Sequence, residues 1–260
     1  MMSDADASGL NVNVLGIQLS CCSFAHVLRE MDAAIRHAQF GRYIAITNTE
    51  SMYHALQRPS HQAYINAADF SCCDGIGAVA AGALLGHRIP RLHGPDLMQH
   101  CCRYGIDKKW RHFLYGGRQD VLDMLSAKLK QQNPGLIIAG ACSPPFRELS
   151  PREDRDIVQT INDARPDILW VGLGLLKQER WISAHLDTVR VPWMIGVGAA
   201  FDFHAGSVKR APLAFQKVGL EWLYRVAFEP RMIKRNLYSL LLFLPAIKEF
   251  LKRKRIQSHP

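Results

Sequence analysis

Five short runs of this 260-residue sequence set carboxylates, amides or cations beside glycines at spacings that can do chemistry. The first is Asp74-Gly75-Ile76-Gly77-Ala78-Val79-Ala80. A carboxylate held at a glycine-rich turn from strand to helix is placed to act as general base on an incoming hydroxyl. Aspartate is equally a residue type that caps helix N-termini, so both readings stand. The same run contains G-x-G-x-x-A, with Asp96 19 residues after Gly77, a partial dinucleotide fingerprint. It keeps a nicotinamide-dependent oxidoreductase using Gly75 and Gly77 as an alternative. Against it, Asp74 would repel a pyrophosphate where helix N–H groups must meet it. Residues 67–73 also make a poor buried strand, with Asp69 and few β-branched side chains.

The second run, Arg91-Leu92-His93-Gly94-Pro95-Asp96, presents a guanidinium and a carboxylate across a tight turn. Arg91 offers fixed donors to phosphate or sugar oxygens, Arg88 could share that task, and Asp96 could cap a helix beginning at Leu97. In the third run, Gly172 and Gly174 let a ligand approach the backbone. Lys177, Gln178 and Glu179 then open a helix whose N–H groups favour anions. Lys177 and Gln178 could hold a diphosphate or a sugar, or the segment is simply a well-capped surface helix. The fourth, around Asp202, supplies a carboxylate for sugar hydroxyls or for capping its own turn. The fifth lies near the C-terminus, where Arg231 and Arg235 share a face if their segment is helical. They read as phosphate ligands, as a solvated basic face, or as part of a helix lying on an anionic membrane.

Positioning these groups requires elements that the hydrophobic periodicity supplies. A strand is predicted over 12–19, then a helix capped by Ser23, a strand over 43–47, and helices over 50–57 and 76–85. Apolar strands follow at 112–115, 136–141, 167–172 and 193–197, alternating with amphipathic helices at 119–132, 152–164 and 177–188. Strand, helix and strand recurring at roughly 25-residue intervals predicts an α/β, Rossmann-like parallel sheet with flanking helices. Loops at Gly116-Gly117, 140–146, Gly172 to Gly174 and Gly196 to Gly198 then lie along one edge of it, where open α/β sheets bind ligands.

The net charge of +9 is concentrated. Residues 1–208 hold equal numbers of basic and acidic side chains, whereas 209–260 hold twelve basic against three acidic. This excludes a uniformly basic nucleic-acid coat and points the tail at an anionic surface, a phosphate ligand or both. A flexible N-terminus over 1–10, an α/β core over 11–208 and a basic, helical C-terminal appendage over 209–260 are expected. Pro230 and Pro245 are expected to divide the appendage. The first ten residues are acidic and polar, unlike a secretory signal. No apolar run approaches the roughly 20 residues of a membrane-spanning helix. The stretch 237–247 could lie on a bilayer. Seven cysteines without C-x-x-C spacing read as buried thiols. Asp4-Ala5-Asp6 and Asp154-Arg155-Asp156 are the D-x-D pairs, neither at a strand end, so no metal and no cofactor are expected.

Taken together these runs resemble the WecG/TagA/CpsF bacterial glycosyltransferases from about Leu15 to Arg235. The carriers are Thr47-Asn48, Asp74-Gly75-x-Gly77, Arg91-x-x-Gly94-x-Asp96-Leu97, Tyr115-Gly116-Gly117, Pro144-Pro145-Phe146, Gly172-Leu173-Gly174-x-x-Lys177-Gln178-Glu179-x-Trp181-Ile182, Gly196-x-Gly198-x-x-Phe201-Asp202-x-x-x-Gly206, Arg210-Ala211-Pro212 and Gly219-Leu220-Glu221-Trp222-x-x-Arg225. The resemblance implies inverting, metal-independent transfer from a UDP-sugar to a polyprenyl-diphosphate-linked saccharide. It implies a peripheral enzyme on the cytoplasmic face of the inner membrane, building a surface or exopolysaccharide or a wall polymer. It assigns the general base to Asp74 and positioning roles to Thr47, Asn48, Arg91 and Gln178. It also implies a membrane-docking tail whose Arg225, Arg231 and Arg235 reach the diphosphate. Three departures from the family pattern stand out: Thr47 directly precedes Asn48 where T-x-N is usual, Leu176 replaces a proline, and Cys72-Cys73 replaces a polar pair. A homo-oligomer is compatible with the sequence, as is a non-catalytic membrane-binding module.

Overall fold

A computed structural model describes residues 10–208 and 231–257 of the chain. The expected flexible N-terminus falls outside this range but for Leu10, and Arg225 and residues 209–230 of the appendage lie outside it too.

The chain opens on strands β1 (Leu10–Val14) and β2 (Ile17–Cys21), helix α1 (Phe24–Arg36) and β3 (Arg42–Thr47). Helices α2 (Thr49–Gln57) and α3 (Pro59–Asn66), strand β4 (Phe70–Cys73), and helices α4 (Ile76–Leu84) and α5 (Gly94–Tyr104) follow. Next come β5 (Arg111–Gly116), α6 (Gln119–Gln132), β6 (Ile137–Cys142), α7 (Pro151–Ala164), β7 (Ile168–Gly172), α8 (Lys177–His185), β8 (Trp193–Gly196) and α9 (Ala200–Ala205). Helix α10 (Arg231–Gln257) ends the described chain.

The eight strands form one sheet in the order β1-β2-β4-β3-β8-β7-β5-β6, parallel throughout except for the β1–β2 hairpin. The α/β expectation is met. Alternation along the strands sends neighbours to opposite faces. Ile44, Cys72, Leu114, Trp170 and Ile195 pack under α1, α5, α6 and α9. Ala45, Cys73, Phe113, Leu169, Val171 and Met194 pack under α2, α3, α4, α7, α8 and α10. The helix after β5 therefore covers one face and the helix after β7 the other. A crevice opens between the C-terminal ends of these adjacent strands.

Several elements correct the sequence reading. The single strand expected over 12–19 is a hairpin, because Leu15 (φ 57°) and Gly16 (φ 83°) both take left-handed backbone and Asn13 Oδ1 accepts from Gly16 N–H at 2.8 Å. The segment judged too polar for a buried strand is β4, fully buried between β2 and β3. Asp69 is accommodated because it precedes the strand, where it accepts from Arg42 Nε at 2.7 Å and Tyr43 N–H at 3.0 Å. Helix α5 begins at Gly94 with His93 as its cap residue, so Asp96 lies in the first turn rather than at the cap. Pro245 does not divide the appendage, since α10 runs through it. Leu242 and Ala246 on either side are completely buried against the body, and that packing holds the turn from which proline removes one hydrogen bond. The 237–247 stretch thus spends part of its apolar surface on the protein; Leu244 and Ile247 remain exposed.

All seven cysteines are free thiols, and five of them are buried. Among the described residues no helix is long and apolar enough to cross a membrane.

Candidate active site

The parallel strands bring their C-terminal ends to one edge, and the loops leaving it carry most of the residues singled out above. After β4, Asp74 N–H donates to Thr47 O at 2.9 Å, tying the β3 and β4 loops together. Gly75 (φ 88°) turns the chain into α4 as its cap residue, and no side chain caps that helix. The N-cap reading of Asp74 is therefore set aside: its carboxylate serves no helix end. Gly77 is needed for another reason than phosphate approach. A Cβ there would stand 2.5 Å from Thr49 Oγ1, so its bareness lets α4 pack on α2, and the dinucleotide reading loses its second glycine.

The Asp74 carboxylate, its side chain 15% exposed, stands 3.8 Å from His93 Nε2. The other ring nitrogen of His93 lies 3.4 Å from Asp96 Oδ2. Sequence reasoning singled out Arg91 and Asp96 in this run and passed over the histidine between them, although its position inside R-x-x-G-x-D was the available signal. Arg91 is near enough to Cys73, at the end of β4, to act on it electrostatically. Burial nonetheless pushes the Cys73 thiol up to about 12, so it stays protonated.

Thr47 is fully buried and its hydroxyl shares a hydrogen bond with Ser71 at 3.0 Å. Asn48 caps α2 by accepting from Ser51 N–H at 2.9 Å. Both sit at the β3 end, one as part of the sheet and one at its rim.

Across the crevice the floor is backbone. A Cβ on Gly116 would strike the Gly172 backbone at 2.7 Å, and one on Gly172 would strike the Phe201 ring at 2.6 Å. Gly117 faces the same ring. Its carbonyl accepts from Ser143 Oγ at 2.7 Å, joining the loops after β5 and β6. Phe146, beyond that serine, is exposed.

Gly174 (φ 85°) leads into α8, whose cap residue Leu176 has φ 70°. Proline is locked near −65°, so this loop turns in a way that the proline usual in the related pattern could not adopt. Lys177 is exposed, whereas Gln178 and Glu179 are buried. Gln178 lies over the β8 end, where a Cβ on Gly196 would meet its amide at 2.9 Å. Gln178 Nε2 donates to Glu179 Oε1 at 3.1 Å. Gln178 Oε1 and Glu179 Oε2 are buried without a hydrogen-bond donor among the described residues. Burial pushes the Glu179 carboxyl up to about 7, outweighing the hydrogen bonds that favour its charge; Glu50 adds to the rise. Asp202 is engaged in its own turn, accepting from Ser207 Oγ at 3.1 Å.

Arg231 and Arg235 both lie in α10, four residues apart. Asp154 of one D-x-D pair is bound by His185 Nε2 at 2.8 Å and Trp181 Nε1 at 3.3 Å, a clasp between α7 and α8. Among the described residues no group of three or more His, Cys, Asp or Glu side chains is placed to hold a metal ion.

The pattern of the Glycosyl transferase WecG/TagA/CpsF family matches residues 12–257. The chain belongs to that family. It is a glycosyltransferase. It is 32% identical over 221 residues to an N-acetylglucosaminyldiphosphoundecaprenol N-acetyl-beta-D-mannosaminyltransferase of Bacillus spizizenii, covering 85% of this chain and 82% of the relative. It is 31% identical over 241 residues to a protein of the same description from Staphylococcus aureus, covering 90% of each.

Proposed function

We propose that this glycosyltransferase moves a sugar from a UDP-sugar to a polyprenyl-diphosphate-linked saccharide, with inversion and without a metal, in the making of a surface polysaccharide or wall polymer. The observation that carries the site assignment is Asp74: a largely buried carboxylate at the ligand edge of the sheet, not used as a helix cap, beside His93. Asp74 takes the proton of the acceptor hydroxyl as that oxygen attacks the anomeric carbon from the face opposite the departing diphosphate. Arg91, Asn48 and Thr47 order the β3–β4 side of the site, with Gly75 giving the turn and Asp96 the helix behind it.

The donor lies over the loops of Gly116, Gly117, Gly172 and Gly174; Gly174, with open space where a Cβ would stand, leaves its backbone approachable, while Gly116 and Gly172 let the strand ends and Phe201 pack into a close floor beneath. Gln178 and Glu179 offer buried acceptor oxygens that suit sugar or ribose hydroxyls, supported by the absence of protein donors to them among the described residues. Lys177 at the rim faces phosphate charge, and Asp202 braces the loop over the glycines. Arg225, Arg231 and Arg235 are assigned to the leaving diphosphate.

In this reading the chain divides into the α/β body over 11–208 and the basic appendage over 209–260, after the first ten residues. The appendage holds the enzyme on the cytoplasmic face of the inner membrane. Exposed Leu244, Ile247 and Leu251, with Lys248, Lys252 and Arg253 beside them, support this, since basic and apolar side chains together favour an anionic bilayer.

A donor screen tests the activity: UDP-N-acetylmannosamine, UDP-glucose and UDP-uronic acids against N-acetylglucosaminyl-diphosphoundecaprenol in vesicles. One donor should be consumed with stoichiometric glycolipid product. Asp74→Asn should leave the fold intact and lower turnover by at least about a hundredfold; unchanged turnover removes the base assignment.

A further inference from the structure

We propose that the outward side of α4 is the lane on which the polyprenyl chain of the acceptor lies, so that the chain leaves the site beside Asp74 and runs along this helix. This rests on the reading of the acceptor as a polyprenyl-diphosphate-linked saccharide with Asp74 as its base, and adds where the lipid goes. In such an acceptor the reacting hydroxyl and the hydrocarbon belong to one molecule, joined through the saccharide and the diphosphate. With the hydroxyl at Asp74, the first isoprene units have to leave the protein close to the same loop.

Sequence and packing single out α4. From Ile76 to Leu85 the chain has no polar side chain. Ala78, Ala81 and Gly82 turn to the core, and Gly77 is closed off by Thr49 of α2. At about 100° per residue, the remaining arc of the helix is made by Val79, Ala83, Ile76, Ala80 and Leu84, in that angular order. Ile76 is 42% exposed, Ala83 is exposed, and the other three are half-buried. A helix side turned to water ordinarily carries charge. Exposed Arg29 of α1, Asp123 of α6 and Asp156 of α7 follow that rule. The α4 arc breaks it, which marks a surface that meets something other than water.

Three features make the acceptor chain that partner. The arc starts at the site, because Ile76 follows Asp74 by two residues and Gly75 between them has open space where a Cβ would stand. It then leads away from the site for about 13 Å at 1.5 Å per residue, room for the first few isoprene units. Thirdly, α10 lies alongside. Leu242 and Ala246 pack in the same cluster as Ala78 and Ala81, and Arg253 Nη1 donates to Leu85 O at 3.2 Å, at the far end of α4. The lane therefore runs beside the helix whose exposed Leu244, Ile247 and Leu251 meet the bilayer in the reading above, and the bilayer is where the rest of the chain is anchored.

The experiment uses the full chain in detergent micelles, with the donor that the wild type consumes. The acceptors are N-acetylglucosaminyl diphosphates ending in a methyl group, a geranyl chain or an undecaprenyl chain. Ile76→Gln combined with Ala83→Gln changes only exposed positions. It should raise the KM for the two chain-bearing acceptors about 3–30-fold and leave the methyl acceptor, the donor KM and the thermal midpoint within error of the wild type. Ile76→Leu should keep wild-type values throughout. A readout that needs no turnover is photo-crosslinking by a farnesyl diphosphate with a diazirine on its chain. The label should fall on residues 76–84 of the wild type and be displaced by unlabelled farnesyl diphosphate, not by phosphatidylglycerol. Unchanged KM values in the double variant, label confined to α10, or displacement by phosphatidylglycerol would each overturn the proposal, the last by making α4 a general bilayer contact. Failure of the underlying reading looks different, because the wild type would then glycosylate no lipid-linked acceptor or Asp74→Asn would keep its turnover; an inactive Asp74→Asn beside unchanged KM values in the double variant removes the lane alone.

Discussion

Glu179 offers the sharpest quantitative test of the site. It is 5% exposed, its Oε2 meets no donor among the described residues, and burial raises its carboxyl from 4.5 to about 7. A rise of that size is worth about 3 kcal/mol. Between the ordinary carboxyl range and about 7 the folded chain holds a proton that the unfolded chain has released. Stability therefore falls as pH climbs through that window and levels off above it. Glu179→Gln keeps the shape and the contact with Gln178 but carries no charge at any pH. At pH 5 the variant should be within about 1 kcal/mol of the wild type. At pH 8 it should be the more stable by up to about 3 kcal/mol, on the order of 10 °C in melting temperature for a chain this size. Urea unfolding at the two pH values, followed by tryptophan fluorescence, measures the difference directly. Midpoints that differ by the same amount at both pH values, or a variant less stable at pH 8, would refute the claim that a buried, proton-holding carboxyl sits there. Transfer by the same variant should drop, because an acceptor oxygen offered to a sugar hydroxyl has become an amide.

Gly172→Ala forces a Cβ to 2.6 Å from the Phe201 ring and should cost about 1–3 kcal/mol by denaturant unfolding, with loss of activity. Leu176→Gly relieves the left-handed backbone of a branched side chain at φ 70°, and should stabilise by about 1 kcal/mol in the same assay. Replacing Leu242 by aspartate puts a charge where the side chain is completely buried against the body, and should make α10 sensitive to limited proteolysis while residues 10–208 stay resistant. Leu244→Ser with Ile247→Ser changes only exposed positions, and should reduce sedimentation with anionic vesicles without altering the melting temperature.

Much of the body was legible because each strand and helix announces itself within its own residues. The α6 segment reads to its ends, 119–132, from one apolar stripe, and Ser23 announces α1 by capping chemistry alone. What local reading could not reach depends on distant partners. β4 was undervalued because Asp69 looks like a buried charge until Arg42, 27 residues away, is found beside it. The hairpin was missed because Leu15 gives no local sign of a left-handed turn. At the site, Asp74, Gln178 and the glycines stand out by type and spacing. His93 does not, since its meaning lies in facing two carboxylates at once. The packing role of Gly77 is hidden for the converse reason: its neighbour is Thr49, far back in the chain, and nothing near it in sequence names that contact.

The floor under the crevice has a bearing on how such an enzyme can change its habits. Between the ends of β5 and β7 there are two glycine backbones and one phenyl ring, packed so closely that neither glycine can accept even a methyl group. Ordinary point substitution has no room to alter this surface, because every side chain added there collides before it can select. New preferences for a sugar must be written elsewhere, in rim segments such as the Ser143 to Phe146 loop or the turn at Leu176. The sheet thus separates what drift can edit from what it must leave alone, and a directed library aimed at donor choice should spare the floor and spend its diversity on those two loops.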